Sequence, residues 1–148
     1  MTLFFPDLNV WLALSDSGHQ HSRDAWNWLN SLPGDARLAF SRYTHVGLLR
    51  LLVTPSVMGS AALTLGRAWS VYGRWLEDPR VEFYPEARDV EAAFRRATAR
   101  FASQKAAKAV GDCWLLACAM EMDATLVTFD RALYDLSRKQ GHAAVIPD

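Results

Sequence analysis

The sequence predicts an α/β fold of three layers, with a central, mostly parallel sheet flanked by helices. Short apolar runs typical of buried strands alternate along the chain with stretches of helical hydrophobic spacing, a pattern typical of parallel sheets covered on both sides. The length of 148 residues fits one domain, 1–148, which is large enough to bury a core without disulfides. No repeat, linker or low-complexity segment divides the chain.

The first half of the chain contains two predicted strands and four predicted helices. The strands are the apolar runs at 2–6 and 36–40. Ser22, Ser41 and Ser60 stand where a serine side chain can cap the free amides of the helix that follows. Proline residues, with the turn geometry they impose, end two of these helices. Together the signals place the helices at 8–15, 23–32, 42–53 and 60–76.

The second half continues the alternation. Apolar runs predict strands at 81–84 and 124–128 and an edge strand at 143–146. One predicted helix follows Asp89, and two more extend over 112–122 and 131–139. Asp89 is placed as an N-cap, because apolar residues recur after it at helical spacing. A loop or helix end that carries Lys105 and Lys108 then leads to the strongly apolar helix that starts at Asp112.

The composition excludes several classes of protein. The chain is 51% hydrophobic and 22% charged, which rules out a disordered chain, a coiled coil and a collagen-like fibre. The two cysteines, Cys113 and Cys118, are too few for a disulfide scaffold and fit no zinc-finger spacing, so we expect buried thiols. No apolar run is long enough for a membrane span, and the N-terminus resembles no signal peptide. We therefore expect a soluble protein of the reducing cytoplasm with no membrane partner.

Charge is balanced in total but segregated along the chain. Lys plus Arg and Asp plus Glu number 16 each, yet residues 36–76 and 92–111 contain no acid. Such local positive charge favours the binding of a polyanion. Basic residues from these segments are candidates for contacting a nucleic-acid backbone: Arg42, Arg50, Lys105 and Lys108. An ordinary solvated helix face, or contact with a protein partner, explains each of these residues equally well.

Three aspartates stand at the ends of the most apolar segments. Asp7 follows the first predicted strand, Asp130 follows the fourth, and Asp112 begins the apolar helix. The carboxyl ends of parallel strands meet at one edge of a sheet, where ligands bind. If the apolar helix runs antiparallel to the fourth strand, its beginning reaches the same edge. Each aspartate alone is also explained as a helix N-cap, and that alternative stays open.

A divalent cation would allow these carboxylates to lie together. Clustered carboxylates repel one another, and without a counter-ion at least one would hold a proton. Carboxylates without Cys or His ligands select hard cations, so the set predicts Mg²⁺ or Mn²⁺. The weaker His19 and His21 pair lies in a predicted loop, and its spacing could also bind a transition metal.

Four segments, in order along the chain, resemble the motifs of a known family. The stretches 5–14 (FPDLNVWLAL), 111–119 (GDCWLLACA) and 124–133 (ATLVTFDRAL) resemble the first, third and fourth motifs of PIN-domain proteins. The stretch 43–52 (YTHVGLLRLL) is similar to the second region of one bacterial branch, the VapC-type toxins. No single motif is specific, but the ordered set spans nearly the whole chain.

This resemblance implies a PIN fold and a metal-dependent ribonuclease that acts as the toxin of a type II toxin–antitoxin pair. Water activated by the metal would cleave RNA phosphodiester bonds. Implied partners are RNA, a cognate antitoxin and a second copy of the chain. Asp7, Asp112 and Asp130 carry over as catalytic, metal-binding carboxylates. Asn9, Thr128 and, from the second region, Thr44 carry over as polar residues lining the site.

The sequence departs from the family pattern in its second region. Many members have a Glu there, whereas residues 36–76 contain no acid and Thr44 or His45 stands in that neighbourhood. Ala132 also stands where relatives often have another acid. One alternative is therefore a PIN fold of weak or no activity that binds RNA or a protein. Another alternative rests on Asp7-Leu8-Asn9, which follows a strand and also resembles the nucleophile loop of haloacid-dehalogenase-type phosphatases, in which Asp7 would attack phosphorus directly.

Overall fold

The computed structural model describes residues 1–148 and contains a five-stranded sheet with eight helices. The sheet has the order β3-β2-β1-β4-β5, and every pair of neighbouring strands is parallel. The strands are β1 (Leu3–Pro6), β2 (Arg37–Phe40), β3 (Val81–Phe83), β4 (Thr125–Val127) and β5 (Ala144–Val145). The helices are α1 (Leu8–Ser15), α2 (Ser22–Ser31), α3 (Arg42–Leu52), α4 (Pro55–Met58), α5 (Leu65–Glu77), α6 (Val90–Thr98), α7 (Ala107–Met122) and α8 (Arg131–Lys139). The predicted fold class is confirmed.

The two faces of the sheet carry separate apolar clusters, which makes the three layers. Because successive side chains of a strand point to opposite faces, Phe4 enters one cluster and Phe5 the other. The larger cluster joins the sheet to α1, α2, α3 and α5, with Trp11 stacked on Phe40 at 3.8 Å between ring centroids. The smaller cluster joins the sheet to α6, α7 and α8. None of the helices combines the length and hydrophobicity needed to cross a bilayer.

The strand order reverses at β1, and this positions the site. The chain leaves β1 toward β2 on one side and returns to β4 on the other. Such a switch point opens a crevice at the carboxyl ends of the two strands, where ligands of open α/β sheets bind. The amide of Asp7 donates to the carbonyl of Val127 at 2.8 Å, so the ends of β1 and β4 are held together there.

The beginning of α7 differs from the prediction. The helix begins at Ala107 and not at Asp112, so Asp112 lies in its second turn and caps nothing. Gly111 does not break the helix; it allows close packing, since a Cβ there would lie 3.2 Å from the hydroxyl of Tyr43. As a result Lys108 and Asp112 are one helical turn apart on the same face.

Two other helix starts also differ. The predicted helix from Ser60 is replaced by the short α4, a 3-10 turn over Gly59–Ala61 and then α5, which Thr64 caps through the amide of Arg67. Gly59 has a φ of 59°, a left-handed conformation that interrupts any continuous helix. Ser22 is the first residue of α2 and not its cap, and Asp89 makes no side-chain capping bond. Ser41 caps α3 as predicted.

Candidate active site

Asp7 lies at the junction of β1 and α1, and its two carboxylate oxygens have different partners. Oδ1 accepts a hydrogen bond from the amide of Leu8 at 2.6 Å, as the N-cap of α1. Oδ2 accepts a bond of 2.8 Å from the hydroxyl of Thr128, which follows β4. The predicted capping role and the predicted place at the sheet edge are therefore both correct for this residue, which is only 8% exposed.

Thr128 and Asn9 connect the two strand ends. The fully buried Thr128 hydroxyl donates to Asp7 and accepts from the amide of Asp130 at 3.0 Å and from Nδ2 of Asn9 at 3.4 Å. Asn9 in turn accepts from the amide of Phe129 through Oδ1 at 3.2 Å. These bonds join the β1–α1 junction to the β4–α8 junction and fix Asp7 and Asp130 relative to each other.

Asp130 and Asp112 share one cationic partner. Oδ1 of Asp130 caps α8 by accepting from the amides of Ala132 and Leu133. Its Oδ2 accepts from Nζ of Lys108 at 2.7 Å, and Oδ2 of Asp112 accepts from the same nitrogen at 3.0 Å. The fold therefore brings Asp112 beside Asp130, although 17 residues, including those of β4, separate them in the sequence.

The charges of this cluster shift the pKa values of its members. Burial raises the pKa of Asp7, and the charges of Asp112 and Asp130 add to this, while the Thr128 hydrogen bond opposes it. Burial also disfavours ionised Asp130, but the bond from Lys108 and the amide bonds of α8 hold its pKa below the usual value. Hydrogen bonds to Asp130 and Asp112 raise the pKa of Lys108. The site is thus rich in negative charge and contains one compensating cation.

The donor chemistry of the site fits a hard divalent cation. Three carboxylates, one amide oxygen and one hydroxyl face this edge, with no Cys or His among them. No group of three or more His, Cys, Asp or Glu side chains surrounds a common point as metal ligands do. The carboxylates of Asp112 and Asp130 point instead to Lys108, and Oδ2 of Asp7 points to Thr128.

The other predicted site residues do not join this cluster. The hydroxyl of Thr44 is committed to Ser41, where the two residues form the capping box of α3. Arg42 contacts Nδ1 of His45 at 3.0 Å and lies over the ring of Phe83. Arg50 and Lys105 line shallow surface pockets and make no hydrogen bond to the three aspartates.

The histidine pair and the cysteine pair lie outside the carboxylate cluster and have other contacts. Nδ1 of His19 accepts from the amide of His21, whose ring stacks on Phe129 at 4.3 Å between centroids. Both cysteines are buried free thiols, as predicted, and burial raises the pKa of Cys118 to about 12. Neither pair belongs to a group arranged to hold a metal.

An open cleft of about 690 Å³ adjoins the carboxylate cluster. Lys108 and Asp112 lie on its border with the cluster, and Arg100, Gln104, Asp135 and Lys139 also line it. The basic segment 92–111 is evident in the sequence, but the contribution of Lys139 from α8 and the direct contact of Lys108 with two acids are not. The i, i+4 spacing of Lys108 and Asp112 signals that contact only once the helix is known to begin before Lys108.

Comparison with known proteins identifies the class. The PIN-domain family model matches residues 4–139, and the chain belongs to that family. It is 37% identical over 130 residues to Ribonuclease VapC41 of Mycobacterium tuberculosis, an alignment that covers 85% of this chain and 88% of the relative. The recognised resemblance to VapC-type ribonucleases is confirmed, and the phosphatase alternative is wrong.

Solved structures share the fold at low sequence identity. The structure of VapBC2 from Rickettsia felis, bound to a DNA fragment from their promoter, matches with a TM-score of 0.72 and 15% identity, covering 99% of this chain and 100% of that one. VapC20 of Mycobacterium tuberculosis, a toxin that cleaves the Sarcin-Ricin loop, matches with a TM-score of 0.66 and 18% identity, covering 99% and 100%. Ribonucleases of the PIN-domain family are generally dependent on a divalent metal ion.

Proposed function

We propose that this chain is the ribonuclease toxin of a type II toxin–antitoxin pair, with Asp7, Asp112 and Asp130 as its metal-binding carboxylates. The observation that carries the proposal is the linked cluster at the β1–β4 crevice, in which Thr128 joins Asp7 to Asp130 and Lys108 joins Asp130 to Asp112. The 37% identity to a VapC ribonuclease supports it. Mg²⁺ or Mn²⁺ held there would supply positive charge for the RNA phosphate and acidify a water molecule.

The chain's own residues prepare the site for that ion. Asp7 is buried, and Thr128 and the amide of Leu8 fix its two oxygens, so its carboxylate is oriented before any ligand arrives. Asn9 holds the Phe129 amide and thereby the start of the Asp130 turn. Such preorganisation means that little rearrangement is needed when the substrate binds.

RNA approaches, in this proposal, along the cleft beside Asp112. Arg100, Lys108 and Lys139 give its border three cations for the phosphates that flank the cleaved bond. Arg42, Arg50 and Lys105 lie outside the cleft and are proposed only as weaker, outer contacts. Neutralising cleft cations should weaken RNA binding and reduce its salt dependence, because fewer counterions are then released.

Cleavage of RNA by aspartate variants tests the proposal. Asp112→Asn and Asp7→Asn should lower the cleavage rate at least about a hundredfold, since each variant replaces one of the carboxylates that would hold the ion with a neutral amide. Asp89→Asn is the matched control, because Asp89 is exposed and makes no capping hydrogen bond. Circular dichroism checks that each variant is folded. Undiminished cleavage by Asp112→Asn, in a preparation free of other nucleases, would contradict the assignment.

One observation favours the weaker alternative, a PIN fold that binds RNA without cutting it. Residues 36–76 contain no acid, and Thr44, which stands in that region, uses its hydroxyl to cap α3. This region therefore adds no carboxylate to those of Asp7, Asp112 and Asp130, which favours one metal ion over two. Titration calorimetry with Mn²⁺ distinguishes the two functions. A catalytic site binds the ion in wild type and loses that binding in Asp112→Asn, whereas a protein that only binds RNA binds Mn²⁺ equally weakly in wild type and in Asp112→Asn.

We also propose an antitoxin and a second copy of the chain as protein partners, in the cytoplasm. Structures of similar fold include VapBC and FitAB assemblies. Tyr43 and Val46 on α3 and Leu65 and Trp69 on α5 are large, exposed apolar side chains, a feature of partner-binding surfaces. Light scattering on the purified chain tests the homodimer, and Trp69→Lys should weaken it. A chain that is monomeric at micromolar concentration would contradict the proposed homodimer but not the proposed antitoxin partner.

A further inference from the structure

Lys108 occupies an unusual position among the three acids. Its ammonium group donates to Asp130 at 2.7 Å and to Asp112 at 3.0 Å, and both are proposed metal ligands. The Lys108 side chain is 65% exposed, whereas those of Asp112 and Asp130 are 18% and 29% exposed. The two acids are therefore held by the fold, and the lysine reaches them from solvent on a flexible stem.

Helix stability does not explain this lysine. Lys108 lies in the first turn of α7, where the partial positive charge of the helix terminus disfavours a cation. It also precedes its acidic partner, and a lysine N-terminal to an acid at i, i+4 is the less favourable order. The position gains electrostatically only from Asp112 and Asp130, so the acids of the site account for the placement of its charge.

We propose that Lys108 is a built-in counter-ion, which holds Asp112 and Asp130 together without metal and is displaced when a divalent cation binds. This inference rests on the proposed metal site and adds a regulation to it, because the lysine competes with the ion for the same two Oδ2 atoms. The displaced ammonium group remains beside the cleft that it lines with Arg100 and Lys139. Metal binding therefore frees a cation at the surface on which RNA is proposed to lie.

A titration of three proteins with Mn²⁺ measures the competition. Lys108→Gln should bind Mn²⁺ at least about fivefold more tightly than wild type, since exposed ion pairs contribute modestly and two of them are lost. Lys105→Gln is the matched control: it removes the same charge three residues away, from a lysine that contacts neither acid. Equal affinities of the two variants, or weaker binding by Lys108→Gln, would overturn the proposal.

Nuclear magnetic resonance of the lysine ammonium groups tests the displacement itself. The signal of Lys108, assigned by its loss in Lys108→Gln, should move or vanish on saturation with Mg²⁺, while that of Lys105 stays unchanged. A Lys108 signal that is unaffected at saturation overturns the displacement and leaves the metal site intact. If neither ion binds to wild type or to Lys108→Gln, the metal site and the counter-ion role are both refuted.

Discussion

Replacing Thr128 with valine should destabilise the protein more than the loss of one hydroxyl suggests. The change keeps the shape of the side chain and removes one buried oxygen with three partners: the Asp7 carboxylate, the Asp130 amide and Nδ2 of Asn9. Because valine can neither donate nor accept, each partner loses its bond at once. The pKa of Asp7, already raised by burial, should rise further without the Thr128 hydrogen bond.

The magnitude follows from these three bonds. A buried partner left without its hydrogen bond costs about 1–3 kcal/mol, with the larger values for charged groups. Asp7 is buried and carries the largest share, whereas Asn9 is joined by a long bond of 3.4 Å and contributes least. We expect a loss of roughly 2–4 kcal/mol in the free energy of unfolding, which corresponds to about 6–15 °C in the thermal midpoint.

Denaturant unfolding followed by circular dichroism measures this loss. Thr98→Val is the matched control, because the Thr98 hydroxyl donates only to carbonyls of its own helix, those of Phe94 and Arg95. It should cost under about 1 kcal/mol. If Thr128→Val is no more destabilising than Thr98→Val, then the hydrogen bonds of Thr128 do not hold the two strand ends together.

Three further predictions concern the core, a surface ion pair and the metal. Trp11→Ala should lower the free energy of unfolding by about 3–5 kcal/mol in denaturant, because the fully buried indole stacks on Phe40 and leaves a cavity. Arg80→Gln should cost about 1 kcal/mol at neutral pH. Arg80 lowers the pKa of Asp78 from 3.8, so this contribution is present above that pH and is lost as the pH falls through the lowered value; a difference that persists at low pH would contradict it. Mn²⁺ at about a hundred times its Kd should stabilise wild type by about 2.7 kcal/mol in calorimetric melts, reversibly with chelator. Asp130→Asn should show no such stabilisation, and an equal shift in both proteins would place the ion elsewhere.

The positions of Asp7 and Asp130 were predictable from the sequence. Both follow short apolar runs, and parallel strands bring such positions to one edge whatever the details of packing. Their helix-capping role was predictable too, and the structure shows that the two readings are compatible. One oxygen of each carboxylate caps a helix, and the other faces the site.

The environment of Asp112 was not predictable to the same degree. Glycine is a poor helix former, yet α7 continues through Gly111, where the absence of a side chain allows close packing against Tyr43. The helix begins at Ala107 and not at Asp112, so Lys108 lies within α7, and the sequence does not reveal its contact with two acids. The family resemblance places Thr44 among the site residues, and the sequence alone does not reveal the bonds that its hydroxyl makes with Ser41.

The Asp130 carboxylate both caps α8 and contributes charge to the site, and this dual role affects how the protein can evolve. Asparagine offers a carbonyl oxygen where aspartate has Oδ1, and it serves as well at the start of a helix. A single-nucleotide change from an aspartate to an asparagine codon at this position would thus remove the negative charge and still leave α8 properly begun. The variant gene would go on producing a well-folded protein that lacks the Asp130 charge and still binds any partner that recognises its surface.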